Sequence, residues 1–540
     1  MSNQDKIEQG LGWPDIEVTG DVLARTATRL PEKTALICGN EQLSYAAMDA
    51  HANRVANALL ALGLNRLSKV AIMARNVPAY ALIYYGAARS GHVLVHTSTR
   101  YIADELAYVL NKSDSEALFV EAPFAHIARA AISKCPAVVH LIVIDDITRE
   151  CPTPPDLTTF AELIDQTPNS SPDIEIAGSD MFGITFTGGT TGFPKGAAVD
   201  HRARLISSFV GADEQNVLET DIAAITTPLF HTAGLFVWYQ PVVLQGGTAV
   251  LIPKWSAVAF LEAVRTHHIT AAFLVPTQIV MLLNDPAFDE QVFGTLQKIA
   301  YGGSAMPPAL LDELIERFPG LELANNYGQT ESCPLSMFRA DLAPDRVATL
   351  GKAPRGIDVA ILSPEGNVLP PGEVGEIASR GDHNMLGYYN DPEQTRAWFK
   401  NGWGCTGDLG VMDEDGYISL VDRSKDMVIS GGENIYPREI ENVLHEHPAV
   451  AECAVFGVPD DTWGEILAAH ICLRNGIQAE ENDLLAYCEA NLARFKLPKI
   501  IKIVDDLPKT AIGKIQKNAL RDLYLDGGKE NRHSGEGQNP

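Results

Sequence analysis

The chain has 540 residues, of which 46% are hydrophobic and 21% are charged, and this length predicts at least two domains. Its 42 basic and 69 acidic side chains give a formal charge of −27 and a pI near 4.9. Such a balance argues against general affinity for nucleic acid or anionic membranes, so an anionic ligand has to meet basic groups placed locally.

Cysteine usage and the N-terminus indicate the compartment. The eight cysteines contain no CxxC pair, which favours buried thiols in a reducing compartment over a disulfide or zinc framework. The first residues lack the basic and apolar regions of a signal peptide. The apolar stretch near Ala79–Val95 is interrupted by Arg89 and Gly91. We therefore expect a cytoplasmic protein without an integral membrane segment.

The first part of the chain alternates between helical and strand patterns. Ser44 predicts the N-cap of a helix that ends at Gly63, and Val70–Met73 predicts a buried strand. Similar alternation to about residue 420 predicts α/β layers. Further strands are predicted at Ala117–Val120, Val139–Ile144, Ala271–Val275 and Lys298–Tyr301.

The composition changes around Asp422–Asn434. Pro437 predicts the start of a helix that ends before Pro448. After it the pattern predicts strands at Ala451–Phe456, Leu467–Leu473 and Ile500–Val504, with a helix at Glu481–Leu492. The fold prediction is α/β, with a large multi-layer N-terminal domain (1–422) of mixed sheets and surrounding helices. A hinge (423–426), a small mobile α+β C-terminal domain (427–526) and a disordered tail (527–540) follow.

One loop, Phe186–Gly196, is dense in groups that bind phosphate. It follows a predicted strand, Met181–Phe186, and contains four glycines, two adjacent threonines and Lys195. Glycines let backbone N–H groups converge on an anion, and lysine supplies a mobile positive charge. The spacing excludes a Walker A loop because Pro194 and Gly196 stand where that motif needs glycine and Ser/Thr.

Four other segments carry candidate chemistry, each weak by itself. They are Pro228–Gly234 with His231, Asn326–Ser332 with Tyr327 and Glu331, Thr406–Leu409 with Asp408, and Pro508–Ile515 with Lys514. We interpret Asp408 as a carboxylate in a tight turn that could hold ribose hydroxyls. The ordinary alternatives are a structural histidine, a turn after a strand, a turn aspartate and a solvated lysine.

Together and in this order, the segments resemble the superfamily of adenylate-forming enzymes. That superfamily comprises acyl-CoA synthetases, luciferases and the adenylation domains of peptide synthetases. The resemblance extends from about Leu43 to Leu525. The loop matches the signature T-S-G-T-T-G-x-P-K-G, except that Gly188 replaces the usual serine, for which we expect altered nucleotide affinity at most.

The resemblance implies a set of ATP contacts. The phosphates would contact Thr187, Gly188, Gly189, Thr190, Thr191, Gly192 and Lys195. The adenine site would be formed by Gly302, Gly303, Ser304, Asn326, Tyr327 and Gly328, with Tyr327 stacking on the base. Asp408 and Arg423 would bind the ribose. Thr330 would touch the α-phosphate, and Glu331 with Thr190 would hold Mg²⁺.

The resemblance also implies two catalytic steps. Lys514 matches the lysine of the adenylating step, and His231 matches the aromatic residue beside the acyl carboxylate. Lys425 would be the pivot about which the small domain rotates. After rotation, a loop with Gly431 and Gly432 would line the pantetheine tunnel while Lys514 leaves the site. The implied cofactors are ATP, Mg²⁺ and coenzyme A.

We therefore expect an acyl-CoA synthetase that forms an acyl-adenylate and transfers the acyl group to CoA. His231 stands where amino-acid-activating domains carry an aspartate, and its apolar surroundings favour an uncharged acyl or aryl body. Lining residues are expected near Trp238, 274–278, 301–306 and 329–334. The partners are a small carboxylic acid, ATP and CoA, with a homodimer as an open expectation.

Two alternatives remain. One is an adenylating enzyme that delivers to a carrier protein, or an oxygenase that uses the adenylate. The other is a nucleotide-binding protein without catalysis, which would require the loss of Glu331, Asp408 or Lys514, all of which are present. The identity of the acid, whether fatty, aryl or ring-bearing, stays open.

Overall fold

The structure is a computed structural model in which residues 15–187, 194–304, 306–423, 426–430, 433–460, 463–474, 476–510 and 515–522 are described. It has a large N-terminal part built on three sheets and a small C-terminal part built on a fourth. This arrangement confirms the predicted mixed α/β fold with a large first and a small second domain. The positions of the domain boundaries stay a prediction.

The strands are numbered in chain order. They are β1 Thr34–Cys38, β2 Glu41–Ser44, β3 Lys69–Met73, β4 Val93–His96, β5 Ser115–Glu121, β6 His140–Ile144, β7 Thr158–Thr159, β8 Met181–Thr187, β9 Lys195–Asp200, β10 Ile222–Ile225, β11 Thr248–Leu251, β12 Ala271–Leu274, β13 Lys298–Gly302, β14 Glu322–Gln329, β15 Ser332–Arg339, β16 Asp358–Leu362, β17 Gly375–Arg380, β18 Gly387–Tyr388, β19 Phe399–Lys400, β20 Trp403–Met412, β21 Ile418–Arg423, β22 Val428–Ser430, β23 Glu433–Ile435, β24 Val450–Asp460, β25 Gly464–Leu473 and β26 Ile500–Ile503.

The helices connect these strands. They are Thr19–Arg29, Tyr45–Ala61, Pro78–Ser90, Ala103–Lys112, Ala125–Ile132, Phe160–Asp165, His201–Glu214, Gln240–Gln245, Ala257–His267, Pro276–Leu283, Glu290–Phe293, Pro308–Arg317, Pro392–Trp398, Pro437–His445 and Glu481–Asn491. A π-helical segment, Ala233–Tyr239, precedes the helix that starts at Gln240. None of the described helices combines the length and apolar character that crossing a membrane requires.

Two eight-stranded sheets form most of the large domain. One has the order β15-β14-β13-β12-β10-β11-β1-β2, and the other has the order β18-β9-β8-β4-β3-β5-β6-β7. The strands from β14 to β1 in the first order and from β8 to β7 in the second pair in parallel. The remaining pairs, β15–β14, β1–β2, β18–β9 and β9–β8, are antiparallel. Because crossovers between parallel strands place helices on both faces, this topology buries both sheets.

The core is layered accordingly. One hydrophobic cluster joins a face of each sheet through the helices Tyr45–Ala61, Pro78–Ser90 and His201–Glu214. The opposite faces pack against two further groups of helices. The order is therefore helix, sheet, helix, sheet, helix, and the middle helices separate the two sheets.

The third sheet differs from the expected pattern. Residues 358–423 form an antiparallel sheet of β16, β17, β20, β19 and β21 instead of continued α/β alternation to residue 420. Antiparallel neighbours need only short turns, and the glycines Gly366, Gly372 and Gly416 supply positive φ angles at such turns. The prediction of alternation was wrong for this segment.

The small domain follows its prediction more closely. Pro437–His445 starts at the expected proline, and Glu481–Asn491 covers the second expected helix. Its sheet has the order β23-β22-β25-β24, with β26 paired to β25. The predicted strand positions agree, although β24 begins at Val450 and extends to Asp460.

Candidate active site

The predicted phosphate loop connects two paired strands. Thr187 at the end of β8 lies opposite Lys195 at the start of β9, and the Thr187 hydroxyl reaches the Lys195 carbonyl at 3.5 Å. The six residues between 187 and 194 lie outside the described residues. The described strand ends therefore place Lys195 at the mouth of the predicted loop.

Lys195 and Glu331 lie on either side of Tyr388. The Lys195 Nζ donates to Gln394 Oε1 at 2.7 Å and lies 5.2 Å from the centre of the Tyr388 ring. The Tyr388 hydroxyl donates to Glu331 Oε1 at 2.6 Å. Burial, together with the negative charge of Glu331, raises the pKa of Tyr388, so this hydroxyl stays a donor. One aromatic residue thus joins the predicted phosphate-binding lysine to the predicted metal-binding carboxylate.

Thr330 and Glu331 form the turn between β14 and β15. Both are buried, with Glu331 7% exposed, and the Glu331 carbonyl accepts a hydrogen bond from the backbone N–H of Met385 at 2.7 Å. The structure contains no group of three or more His, Cys, Asp or Glu side chains around a common metal position among the described residues. Mg²⁺ is commonly held by one or two carboxylates together with substrate phosphates, and a single buried carboxylate fits that mode.

The predicted adenine and ribose residues also meet. The Tyr327 hydroxyl donates to Asp408 Oδ2 at 2.7 Å. Asp408 pairs with Arg423 across β20 and β21. The prediction that Asp408 lies in a tight turn was wrong, because it lies within a strand. An irregularity at Gly407, whose φ is +74°, produces the local pattern that suggested a turn.

Glycines allow close packing at the predicted adenine site. A Cβ on Gly302 would lie 2.4 Å from the Asn326 carbonyl oxygen, and Gly303 has a φ of +80°. A Cβ on Gly328 would lie 3.1 Å from the Ser332 carbonyl oxygen. The buried Asn326 Oδ1 has no partner among the described residues, so it can accept a hydrogen bond from an amino group. Ser304 is half-buried beside these residues.

His231 lies in a loop that one asparagine holds in place. The amide of Asn76 donates to the carbonyls of Ile225 and Thr227 at 3.0 and 3.1 Å, and its oxygen accepts from Leu229 N at 2.8 Å. Asn76 is 4% exposed. His231 is half-buried, and its Nδ1 accepts from the backbone N–H of Ala233 at 3.3 Å. The loop geometry therefore depends on a residue about 150 positions earlier in the chain.

Trp238 belongs to the core. It is fully buried, and its Nε1 donates to the Ala224 carbonyl at 2.9 Å. The expected acid site near Trp238 stays a prediction. Its neighbour Phe236, two residues earlier, faces the helix His201–Glu214 and contacts Arg204.

The two domains touch near the predicted site. The Arg100 Nη1, four residues beyond β4, donates to the Thr510 carbonyl at 3.1 Å. Lys509 and Ile515 pair as an isolated bridge. Thr510, four residues before Lys514, therefore contacts the large domain, although Lys514 itself lies outside the described residues.

Several predicted residues cannot be placed. Outside the described residues lie Gly188, Gly189, Thr190, Thr191, Gly192, Lys425, Gly431, Gly432, Lys514 and the predicted tail at 527–540. Arg423 is described by its backbone pairing alone. Sequence reasoning missed Tyr388, Gln394 and Asn76, since no local pattern marks a tyrosine, a glutamine or an asparagine that acts through a remote partner.

The chain is similar to known proteins over most of its length. Residues 23–389 match the family described as AMP-binding enzyme, and residues 439–514 match the AMP-binding enzyme C-terminal domain. A feruloyl-CoA synthase from Amycolatopsis sp is 34% identical over 521 residues, covering 95% of this chain and 99% of that protein. A fatty acid–[acyl-carrier-protein] ligase, ScoC from Streptomyces coeruleorubidus, is 34% identical over 527 residues, covering 95% and 98%. The crystal structure of the anthranilate CoA ligase AuaEII in complex with anthranoyl-AMP superposes with a TM-score of 0.87 at 26% identity, covering 97% and 99%.

Proposed function

The chain belongs to the AMP-binding enzyme family, and from that premise we propose that it is an AMP-forming carboxylic acid–CoA ligase. It converts an acid and ATP into an acyl-adenylate with release of pyrophosphate. It then transfers the acyl group to CoA with release of AMP. One observation carries the proposal: Lys195, Tyr388 and Glu331 lie in contact at the end of the predicted phosphate loop.

The first step requires positive charge around the reacting phosphate. The acid's carboxylate oxygen attacks the α-phosphorus, and the bond from that phosphorus to the pyrophosphate oxygen breaks. No protein base is needed because the nucleophile is already ionised. Lys195 neutralises the leaving pyrophosphate, and Lys514 stabilises the charge that develops at the α-phosphorus. Bound at Glu331, Mg²⁺ would supply further charge to the phosphate oxygens.

Contacts of the ATP base and sugar position the α-phosphorus. Tyr327 packs beside the adenine, and Asp408 accepts from the ribose hydroxyls while it also accepts from the Tyr327 hydroxyl. The same tyrosine thus links the base to the sugar. Asn326 Oδ1, which is buried without a partner among the described residues, accepts from the adenine amino group.

The second step needs different residues of the small domain at the reacting carbonyl. The CoA thiolate attacks the acyl carbonyl, and the bond from that carbon to the AMP oxygen breaks. The Arg100–Thr510 hydrogen bond supports a role of the small domain in adenylation, because it joins the segment before Lys514 to the large domain. Rotation about Lys425 would remove this segment and bring Gly431 and Gly432 to the thiol. Replacing Lys425 with proline should spare pyrophosphate exchange and suppress thioester formation, whereas equal loss of both steps would contradict the hinge.

A carrier protein is the second candidate acceptor, because ScoC is as similar to this chain as the feruloyl-CoA synthase is. CoA and a carrier protein both present a pantetheine thiol, so the groups around the reacting carbonyl do not distinguish between the two acceptors. Faster AMP release with an acyl-carrier protein than with CoA, at equal thiol concentration, would favour this candidate. A cytoplasmic location and a homodimer stay predictions.

The direct test is a screen for AMP release across acids of graded length and aromaticity, with and without CoA. The proposal predicts that at least one acid supports pyrophosphate exchange alone and rapid AMP release only when CoA is present. Failure of every acid to support exchange would contradict it. Exchange without any CoA-dependent AMP release would transfer support to the carrier protein.

A further inference from the structure

Arg204 is a charged side chain inside the core of the large domain. It lies in the helix His201–Glu214, is 0% exposed, and its Cζ lies 4.1 Å from the centre of the Phe236 ring. Its Nη2 lies 3.5 Å from the Thr330 carbonyl, at the limit of a hydrogen bond. No carboxylate among the described residues pairs with it, and Nε has no partner there.

This environment is unfavourable for a cation. Burial strongly disfavours a charge that is not paired with a counter-ion. The ring of Phe236 and the attraction of the carboxylates of Asp200 and Glu331 compensate only in part. Burial lowers the pKa of Arg204 to about 10, so the guanidinium remains protonated at neutral pH. A helix position of this kind is ordinarily apolar, as the neighbouring Leu205 and Ile206 are. The charge therefore calls for a partner that the described chain does not contain.

A second unpartnered group lies on the same aromatic ring. The His96 ring centre is 5.7 Å from that of Phe236, and His96 Nε2 is buried with no partner among the described residues. Its other nitrogen, Nδ1, lies 2.7 Å from the Tyr80 hydroxyl. Burial, with the charge of Arg204 in addition, lowers the pKa of His96 to about 3, so the imidazole is neutral. When Tyr80 donates to Nδ1, Nε2 carries the proton and is a donor.

The helix that carries Arg204 runs along the predicted active site. One turn later, the Ser207 hydroxyl donates to the Cys333 carbonyl at 2.6 Å, two residues beyond Glu331. Ser208 and Gly211 pack closely against the carbonyls of Phe236 and Val237, which follow the loop of His231. Arg204 is thus next to both segments between which the acid is proposed to bind.

We propose that Arg204 and His96 form a buried subsite for an oxygen acceptor that the acid carries away from its reacting carboxylate. The substrate class is then a carboxylic acid with a second carboxylate or a ketone, because unpartnered donors need an acceptor and the cation favours a charged one. This rests on the proposed ligase function. It also revises the uncharged acyl body that the apolar sequence around His231 favoured.

The test compares acids that differ only in the second oxygen group. The probes are octanoate, 7-oxooctanoate and octanedioate, together with 4-ethylbenzoate and 4-acetylbenzoate. CoA-dependent AMP release gives kcat/KM for each. In one series the native enzyme should prefer an oxygenated acid by at least about 10-fold, since a site built to hydrogen-bond a group rejects the analogue that lacks it. Preference for the dioate over the oxo acid would identify the anion as the better partner.

Arg204→Met should reduce that preference to within about 3-fold by lowering kcat/KM for the oxygenated acid only. Arg204→Lys keeps the charge but loses the planar donor pair. Its preference for the oxygenated acid should lie between those of the native enzyme and Arg204→Met. The matched control is Arg202→Met on the same helix, whose arginine is 3.7 Å from Asp382 and partly exposed, and it should leave the preference unchanged. His96→Leu provides a second test if Arg204→Met fails to fold.

Three results would overturn the inference. The native enzyme could show no preference for the oxygenated acids, or both Arg204→Met and His96→Leu could retain the preference. The third is that these variants lower kcat/KM equally for the oxygenated acid and for its analogue. If none of these five acids supports AMP release while another acid of the wider screen does, the subsite fails and the proposed function stands. If no acid of the wider screen supports pyrophosphate exchange, the proposed function fails. If AMP release occurs without any preference, only the subsite fails.

Discussion

The nucleotide side and the acid side of the proposed site differ in whether their polar side chains have hydrogen-bond partners. On the nucleotide side, Tyr327 is bonded to Asp408 and Tyr388 to Glu331. On the acid side, Arg204 and His96 are more deeply buried, yet Arg204 Nε and His96 Nε2 lack a partner among the described residues.

This contrast has a physical consequence. Side chains that already bond one another are held in place before ATP binds, so little ordering is needed when it does. A buried donor without a hydrogen-bond partner costs free energy until a ligand supplies an acceptor. We therefore expect the acid side to be more selective than the nucleotide side. Binding of ATP should therefore be robust, whereas the choice of acid should depend on few residues.

The largest effect is expected at Glu331. Glu331→Gln should reduce pyrophosphate exchange by about 10³-fold, because it removes the charge that is proposed to hold Mg²⁺ and that accepts the Tyr388 hydrogen bond. Tyr388→Phe removes only the hydrogen bond and should cost about 10-fold or less. Glu373→Gln, at an exposed glutamate, is the control. A loss below 10-fold for Glu331→Gln would contradict the proposed role of Glu331 in holding Mg²⁺.

A smaller effect is expected at Asp408. Asp408→Asn should raise the KM for ATP by about 10- to 100-fold, since hydrogen bonds to a charged group are the stronger ones. Tyr327→Phe should raise it by about 5-fold through loss of the 2.7 Å bond. The KM values for acid and CoA should stay within about 2-fold. A rise in the KM for acid alone would show that Asp408 serves the other side of the site.

Asn76 tests the positioning of the acid side. Asn76→Ala removes three buried hydrogen bonds to the loop of His231, and should lower kcat/KM for the acid by about 10-fold while the KM for ATP stays unchanged. Asn57→Ala is a matched control, because its amide also donates to three carbonyls but far from this loop. If both variants lose stability and acid activity equally, Asn76 is only structural.

The last prediction concerns the pH dependence of stability and not the activity. Burial lowers the pKa of His201 to about 3, and the ring, stacked on Phe182, accepts from Thr19 N at 3.2 Å. The unfolded chain binds a proton below about pH 6.5 while the folded one does not, so stability is complete above that pH and falls as pH drops towards 3. His201→Gln should reduce this slope of the unfolding free energy by up to about 1.4 kcal/mol per pH unit in urea titrations.

His126→Gln, at an exposed histidine, should leave the slope unchanged. An equal slope in the native protein and in His201→Gln would show that another group titrates.

The proximity of several predicted nucleotide-binding residues could be predicted from the sequence because they lie in one short segment. Tyr327, Thr330 and Glu331 fall within one hairpin, so their proximity follows from the chain itself. Strand positions in the small domain agreed for the same local reason. The interpretation of Asp408 as a turn residue was wrong because a strand irregularity and a turn share the same glycine pattern.

The acid side could not be predicted in the same way. Asn76 acts on carbonyls at 225 and 227, and Arg204 meets Phe236 and Thr330, so these contacts arise only when distant segments pack. The available signal was an arginine, Arg204, directly before the apolar Leu205 and Ile206 of the helix. Its meaning depends on burial, which the pattern alone does not give.

The most direct test follows the oxygen atoms of the acid. An acid labelled with ¹⁸O in both carboxylate oxygens is turned over with ATP and CoA, and the products are analysed by mass spectrometry. The account predicts one ¹⁸O in AMP and none in pyrophosphate, because the carboxylate oxygen that attacks the α-phosphorus leaves with AMP. Unlabelled AMP, or label in a phosphate released with ADP, would contradict it.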